Sequence, residues 1–236
     1  MDLDGTLAPI APTPAEARIP AETLGALRRL IRNGWKVAVI SGRQVSEVRE
    51  LVPLRGIRAF GSHGLEGSWK GLGRTALPTG LRQRLARLAK RAGALAKTVP
   101  GAVIEHKPAG VAFHDRQVPR NRLPEWRRTL DRWLAEQNLE GLERIRGRRV
   151  TELRPAGVHK GVVVRGLPKR PGRPRPDDSL VAMGDDLTDE DMFRELQGQG
   201  LTVRVGRRRG TLAVTRLPST SAVSRFLTRL AEEAAR

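Results

Sequence analysis

Apolar residues recur along this chain with two different periods. Leu24, Leu27, Leu30 and Ile31 fall three or four apart behind Pro20, a first-turn residue, and predict a helix. The run Lys36-Val-Ala-Val-Ile40 reads as a short buried strand, and Ile57 to Phe60 as another. Strands alternating with helices imply a parallel sheet with helices on its faces. A Gly-rich stretch (Gly67, Gly71, Gly73) then breaks the rhythm.

From Thr79 a long amphipathic helix is expected, with Leu81, Leu85, Leu88, Ala92 and Leu95 on one stripe. Two alternating strands follow, near Val103–Lys107 and Val111–His114. A second helix carries Leu123, Trp126, Leu130, Trp133 and Leu134, and a strand is expected around Val150–Leu153. Helix, hairpin, helix and strand make a compact α+β unit, placed at 76–155, inserted into an α/β part formed by 1–75 and 156–236. The α/β rhythm resumes with a helix from Gly157, a strand at Leu180–Met183, a helix near Asp189–Leu196, and strands at Leu201–Val205 and Leu212–Val214. The last helix shows Val223, Phe226, Leu227, Leu230 and Ala234 on one face. Pro168 to Pro176 (PKRPGRPRP) reads as a solvated connector, and no internal repeat is found.

Composition narrows the classes. The 236 residues include no cysteine, which excludes a disulfide scaffold, a thiolate metal site and a cysteine nucleophile. No apolar run approaches the roughly 18 residues that would span a bilayer, and no signal-peptide pattern opens the chain. A cytoplasmic protein is the expectation. The net charge of +19 favours anionic ligands. Its 37 arginines are nevertheless spread over every segment, including ordinary solvent faces of helices (Arg28, Arg29, Arg32; Arg82, Arg84, Arg87). Dispersal, together with 3% aromatic residues, argues against a dedicated nucleic-acid surface with stacking platforms.

The chemistry lies in four short stretches. Asp2-Leu-Asp4-Gly-Thr6 places two carboxylates at i and i+2 of a strand end, on one side of it. One could attack while the other handles protons, and both could approach one hard cation; the plainer alternative is a turn motif. Gly184-Asp185-Asp186-Leu-Thr-Asp189-Glu190-Asp191 follows the apolar run 180–183. Clustered carboxylates repel one another unless a cation is present, and such oxygen donors suit Mg²⁺. Favourable acidity at a helix N-terminus accounts for Glu190 and Asp191, but not for Asp185 directly after a buried strand. Ser41-Gly42-Arg43 stands just past a strand and Lys160-Gly161 at a helix start. A hydroxyl and an ammonium both suit a phosphoryl group. In open α/β sheets, ligands bind beyond the carboxyl ends of the strands.

This ordered set resembles the haloacid dehalogenase superfamily of phosphotransferases, and more narrowly the trehalose-6-phosphate phosphatases. The narrower likeness rests on Gly61-Ser-His63-Gly-Leu-Glu66, on Ile104-Glu105-His-Lys107 with His114-Asp-Arg116, and on Glu152-Leu-Arg-Pro155 with Gly157 and Lys160-Gly161. The run from Gly184 to Phe193 completes it. The resemblance implies a Rossmann-like parallel-sheet core with an inserted α+β cap. It implies that Asp2 is the nucleophile and that Asp4 is the general acid and then the base. Asp2, the backbone carbonyl of Asp4 and Asp185 would hold Mg²⁺, and Asp189 would support that shell and Lys160. Ser41 and Lys160 would clamp the phosphate. Glu105, Lys107 and Glu152 would bind the sugar, while Arg43, His63 and Glu66 would lie beside the substrate on the core side. The implied partners are a small-molecule sugar phosphate and, by functional coupling, a trehalose-6-phosphate synthase; no membrane is implied.

Rival readings stand beside these. Glu105, Lys107 and Glu152 could be the charges of exposed strands, and His63 could cap the Gly-rich turn. His114 and Arg116 read as structural, and His106 and His159 as surface residues, because four histidines without ligand spacing make no zinc site. Asp115 stands where the resembled family usually has an aromatic residue, and His159 where it has a small polar one. Only Met1 precedes Asp2, whereas about five apolar residues should lead a buried strand to its nucleophile. A terminal Asp2 would fray, so we expect Met1 to be an internal methionine of a chain that starts upstream. Two other functions remain open: a related capped phosphatase for another sugar phosphate, such as sucrose 6-phosphate or mannosyl-3-phosphoglycerate, and a catalytically silent basic binding protein.

Overall fold

The computed structural model describes residues 1–69, 72–74, 77–107, 109–147, 149–167, 180–207 and 209–235, so the Pro/Arg connector lies outside the described residues. The chain divides into two compact units, Met1–Thr75 with His159–Arg236, and Ala76–Val158.

In the first unit, helix α1 (Ala21–Arg32) starts behind Pro20 and buries Thr23, Ala26, Leu27 and Leu30. Strand β1 (Ala38–Ile40) is followed by helix α2 (Val45–Leu51), which opens with the Gln44 N–H donating to Glu47 Oε2 at 2.9 Å. Strand β2 (Arg58–Gly61) lies parallel to β1, with Val39 opposite Ala59. The Gly-rich stretch does not break the sheet, as the sequence had suggested. It extends it: β3 (Glu66–Trp69) pairs antiparallel with β2, and β4 (Leu72–Arg74) with β3.

The second unit is a two-layer α+β sandwich. Helix α3 (Thr79–Ala96) precedes strands β5 (Val103–Lys107) and β6 (Gly110–His114). Helix α4 (Leu123–Ala135) precedes β7 (Leu142–Gly147) and β8 (Val150–Pro155), giving an antiparallel sheet in the order β5-β6-β8-β7. Leu85, Leu88 and Ala92 of α3 and Trp126, Leu130 and Leu134 of α4 share one core with Val111, Phe113 and Leu153 of the sheet. Burial of these stripes is the main drive for this unit, at about 1.5–3 kcal/mol for each large side chain. Asp115 occupies a buried position between two cations, with Arg127 Nε at 3.2 Å and Arg149 Nε at 3.1 Å.

The first unit resumes with α5 (Lys160–Arg165), β9 (Val181–Gly184), α6 (Glu190–Glu195), β10 (Leu201–Val205), β11 (Thr215–Leu217) and α7 (Thr220–Glu233). Strands β9, β10 and β11 form a parallel sheet in the order β11-β10-β9. The last strand lies at 215–217 rather than at the apolar 212–214, whose Leu212 and Val214 are exposed. Met1 and Asp2 do not fray. The Met1 amino group donates to Ala38 O at 2.8 Å, Ile40 N to Met1 O at 2.9 Å, and Asp2 N to Met183 O at 2.9 Å. Two residues thus join the sheet of β1 to that of β9. Helices α1 and α7 pack on one face with Leu3, Val39, Met183 and Val203, while α5 and α6 pack on the other with Ile40, Phe60 and Ala182. No helix among the described residues is long and apolar enough to cross a membrane.

Candidate active site

Parallel strands with helices on both faces expose their carboxyl ends at one edge, and chain segments leaving that edge converge there. Asp2, Ser41 after β1, and Asp185 after β9 all leave it. Lys160, the first residue of α5, is buried and bridges two acids: its Nζ donates to Asp2 Oδ1 at 2.6 Å and to Asp189 Oδ1 at 2.7 Å. Asp189 uses its other oxygen on the acidic loop itself, accepting from Asp185 N at 2.8 Å and Asp186 N at 2.9 Å. Both Asp189 oxygens are therefore occupied by the protein, and its task is to hold Lys160 and the loop. Asp2, Asp185 and Asp189 each offer an oxygen within 4.8 Å of the others.

One ammonium does not neutralise three carboxylates. Burial pushes the Asp2 carboxyl up to about 6, with Lys160 working against that rise and the charge of Asp189 adding to it. Burial, followed by the charges of Asp2 and Asp189, pushes Asp185 up to about 8. For Lys160, burial disfavours the charged form, but Asp189 and Asp2 together outweigh it and hold the ammonium above the usual lysine range. Excess negative charge on hard oxygen donors in a small space is the setting a divalent cation such as Mg²⁺ relieves, and these residues fit one. Gly5 is shaped to this cluster. Its φ is +87°, and a Cβ there would lie 2.3 Å from the Asp185 carboxylate.

Asp4 has a different partner from Asp2, although its charge still acts on Asp2. Residues 2–4 form no named strand, Asp4 making only an isolated bridge with Ala8, so alternation along a strand does not govern their side chains. Arg43 grips Asp4 through both oxygens, Nε to Oδ2 at 2.7 Å and Nη2 to Oδ1 at 2.8 Å, and its Nη1 donates to Pro14 O at 2.9 Å. The Arg43 N–H donates to the Ser41 hydroxyl at 3.1 Å. A second loop is strapped to this one: Ser62 N donates to Arg43 O at 2.7 Å and His63 N to Ser41 O at 2.9 Å. Ser62 and His63 both have positive φ, 47° and 58°, a conformation uncommon for such residues and held here by the straps. Glu66 accepts from the Ser62 hydroxyl and, at 3.1 Å, from Val45 N, so both its oxygens are spent on fastening the loops. His63 is buried, with its ring against Gly42.

Within the second unit, Glu105 lies opposite Ala112, and Ala112 opposite Glu152, in one row across β5, β6 and β8. Lys107, two residues along β5, bonds Glu152 at 3.3 Å, and both side chains are largely buried. Glu105 is more exposed and meets His114 Nε2 at 2.8 Å, a bond that, with burial opposing it, lowers the Glu105 pKa. His106 is exposed, whereas His159 is only partly so and sits 4.0 Å from Asp191, which corrects its reading as a surface residue.

Sequence reasoning passed over Arg204 and misjudged Glu190. Arg204 is buried near the end of β10 and holds the backbone of the acidic loop. Glu190 is more than helix-end acidity: it pairs with Arg204 and accepts from Thr211 Oγ1 and Leu212 N, both at 2.8 Å. An arginine inside the apolar run 201–205 was the signal.

A sequence model of the trehalose-phosphatase family matches residues 1–222. The chain belongs to this family. It is 34% identical over 248 residues to a trehalose-phosphate phosphatase of Mycobacterium marinum, and 36% identical over 251 residues to one of Mycobacterium avium. These alignments cover 98% of the chain but 60% and 61% of the relatives, so the chain spans about three-fifths of their length. The C-terminal domain of a trehalose-6-phosphate phosphatase from C. albicans superposes with a TM-score of 0.79 at 23% identity, covering 98% of this chain and 90% of that one. A trehalose-6-phosphate phosphatase related protein gives 0.77 at 24% identity, covering 100% and 97%. The fold is thus the expected α/β one, a Rossmann-like core with an inserted α+β unit, and the family is one of phosphate-monoester hydrolases.

Proposed function

We propose that this chain is a Mg²⁺-dependent phosphatase that hydrolyses trehalose 6-phosphate to trehalose and phosphate, serving trehalose biosynthesis. The observation that carries the reading is the buried Lys160 ammonium between Asp2 and Asp189, with Asp185 facing them at the carboxyl edge of the sheet. Asp2 attacks phosphorus, and the bond to the sugar oxygen breaks as Asp4 gives that oxygen a proton. Water then attacks the aspartyl-phosphate, Asp4 takes the proton, and Asp2 is regenerated with release of phosphate. Bound Mg²⁺, held by Asp2, Asp185 and the carbonyl of Asp4, supplies charge neutralisation at the phosphoryl oxygens. Lys160 and the Ser41 hydroxyl clamp the phosphoryl group, and Arg43 orients Asp4 by its two-point grip. His63 and Glu66 shape the core side of the substrate site. Glu105, Lys107 and Glu152, on one face of the inserted unit's sheet, recognise sugar hydroxyls.

Phosphate release from trehalose 6-phosphate, with and without Mg²⁺, tests the reading. Asp2→Asn abolishes release in this scheme, and full activity in that variant removes the proposed nucleophile. Faster turnover of sucrose 6-phosphate or mannosyl-3-phosphoglycerate would overturn the sugar assignment. No phosphate release together with steeply salt-dependent nucleic-acid binding would favour a silent basic protein.

A further inference from the structure

We infer that Arg204 is a positioning residue for the metal centre, fixing the Asp185 carboxylate from behind through the backbone of the acidic loop; this rests on the proposed Mg²⁺ reading. In β10, Val203 and Val205 point into the core shared with α1 and α7, so Arg204 points to the other face. Parallel register sets it beside Gly184, the last residue of β9 and the one before Asp185. The guanidinium is almost wholly buried, which demands compensation. Nη1 donates to Asp186 O at 2.9 Å and to Glu190 Oε1 at 3.1 Å, and Nη2 donates to Asp185 O.

The loop is thereby clamped on both sides of its peptide groups. Asp189 accepts from the N–H groups of residues 185 and 186, and Arg204 donates to their carbonyls. Neither clamp uses the Asp185 carboxylate, which has no hydrogen bond of its own among the described residues and is repelled by Asp2 and Asp189 more than Lys160 attracts it. Left to side-chain forces alone, that carboxylate would swing away from its like-charged neighbours. Backbone restraint keeps it within 4.8 Å of them, ready for a cation. Glu190 anchors the guanidinium in turn and ties it to Thr211 and Leu212. A lysine in this place would offer a point charge without the planar fork that reaches two carbonyls and a carboxylate at once.

The test is binding of Mn²⁺, as a spectroscopic substitute for Mg²⁺, to the whole chain, read by electron paramagnetic resonance and by calorimetry with no substrate present. Arg204→Gln weakens cation binding by about 10- to 100-fold, the range typical when partners behind metal ligands are removed, and Arg204→Lys restores only part of it. Val203→Ala, on the same strand but facing the opposite core, lowers the melting temperature and leaves the affinity unchanged. Wild-type affinity in folded Arg204→Gln overturns the positioning role alone. No cation binding by the unsubstituted chain overturns the metal reading and this role with it. If Arg204→Gln does not fold, Glu190→Gln carries the same measurement: a weakened affinity supports the role, and an unchanged one overturns it.

Discussion

Replacing Lys160 by methionine removes one charge and keeps most of the side-chain volume, which makes it the sharpest probe of the acidic centre. At an effective dielectric constant of about 20, unit charges 2.6 Å apart attract by about 6 kcal/mol, and Lys160 has two such neighbours. Burying three ions offsets most of that attraction, so the measured loss on breaking the network is expected at about 3–5 kcal/mol near neutral pH. Its pH dependence is the stronger test. Asp2 and Asp185 have folded-state pKa values raised from 3.8 to about 6 and about 8. A carboxyl with a raised folded pKa favours the fold fully below its unfolded pKa, and that contribution is lost as pH rises through the folded value. The metal-free wild type therefore loses stability between about pH 4 and pH 8. Without Lys160 both carboxyls rise further, so the gap between variant and wild type widens across this window and narrows towards pH 4. Urea unfolding at pH 4.5, 6 and 8 in the presence of a chelator reads this directly. A gap that is constant with pH, or below about 1 kcal/mol throughout, would refute the electrostatic account of the centre.

Two smaller perturbations separate the parts. Gly5→Ala puts a methyl group into the Asp185 carboxylate at a backbone φ of +87°, so phosphate release should fall at least about 100-fold and stability by about 1–3 kcal/mol; wild-type turnover would mean the loop is free to move aside. Lys107→Met removes the ammonium that bonds Glu152 and should raise KM for trehalose 6-phosphate by about 10- to 100-fold, while hydrolysis of p-nitrophenyl phosphate, which carries no sugar, is unchanged. Equal loss on both substrates would place Lys107 outside sugar recognition.

Apolar continuity made the core legible. The runs 36–40, 57–60, 180–183 and 201–205 each match a strand of the first unit to within two residues at either end, because strands of a parallel sheet are buried on both faces and show it in composition. The helices at 21–32, 79–96, 123–135 and 220–233 showed their stripes for the corresponding reason. What escaped was short or at an edge. Helix α2 spans seven residues with one buried side chain, too few for a period to declare itself. Strand β7 lies at the edge of its sheet and reads LERIRG, half charged, with Arg144 and Arg146 paired to Asp131 of α4 instead of carrying an apolar face. At 212–217 the more apolar half is loop and the strand starts with the polar Thr215 and Arg216, since β11 is also an edge and its pairing with β10 is by backbone.

In the site, residue types that carry chemistry were legible, and residues that hold them were not. Asp2, Asp185 and Asp189 declare themselves because clustered like charges after strand ends have few structural uses, and Lys160 does so as a lysine at a helix start in the same ordered set. Arg204 does not, in a chain with 37 arginines, since only burial separates it from its solvated counterparts. The same holds for Glu66, where a motif position suggested substrate and the geometry shows both oxygens fastening two loops. Repulsion among the acids at the carboxyl edge has to be resisted until a cation arrives, and Lys160 bonds Asp2 and Asp189 directly but attracts Asp185 without bonding it. Asp185 has no such partner, so its restraint has to come through the peptide groups that carry it. A centre built this way places its charge balance in the exposed chemistry and its geometry in the buried scaffold, and substitutions in the scaffold should change cation affinity before they change the chemical step.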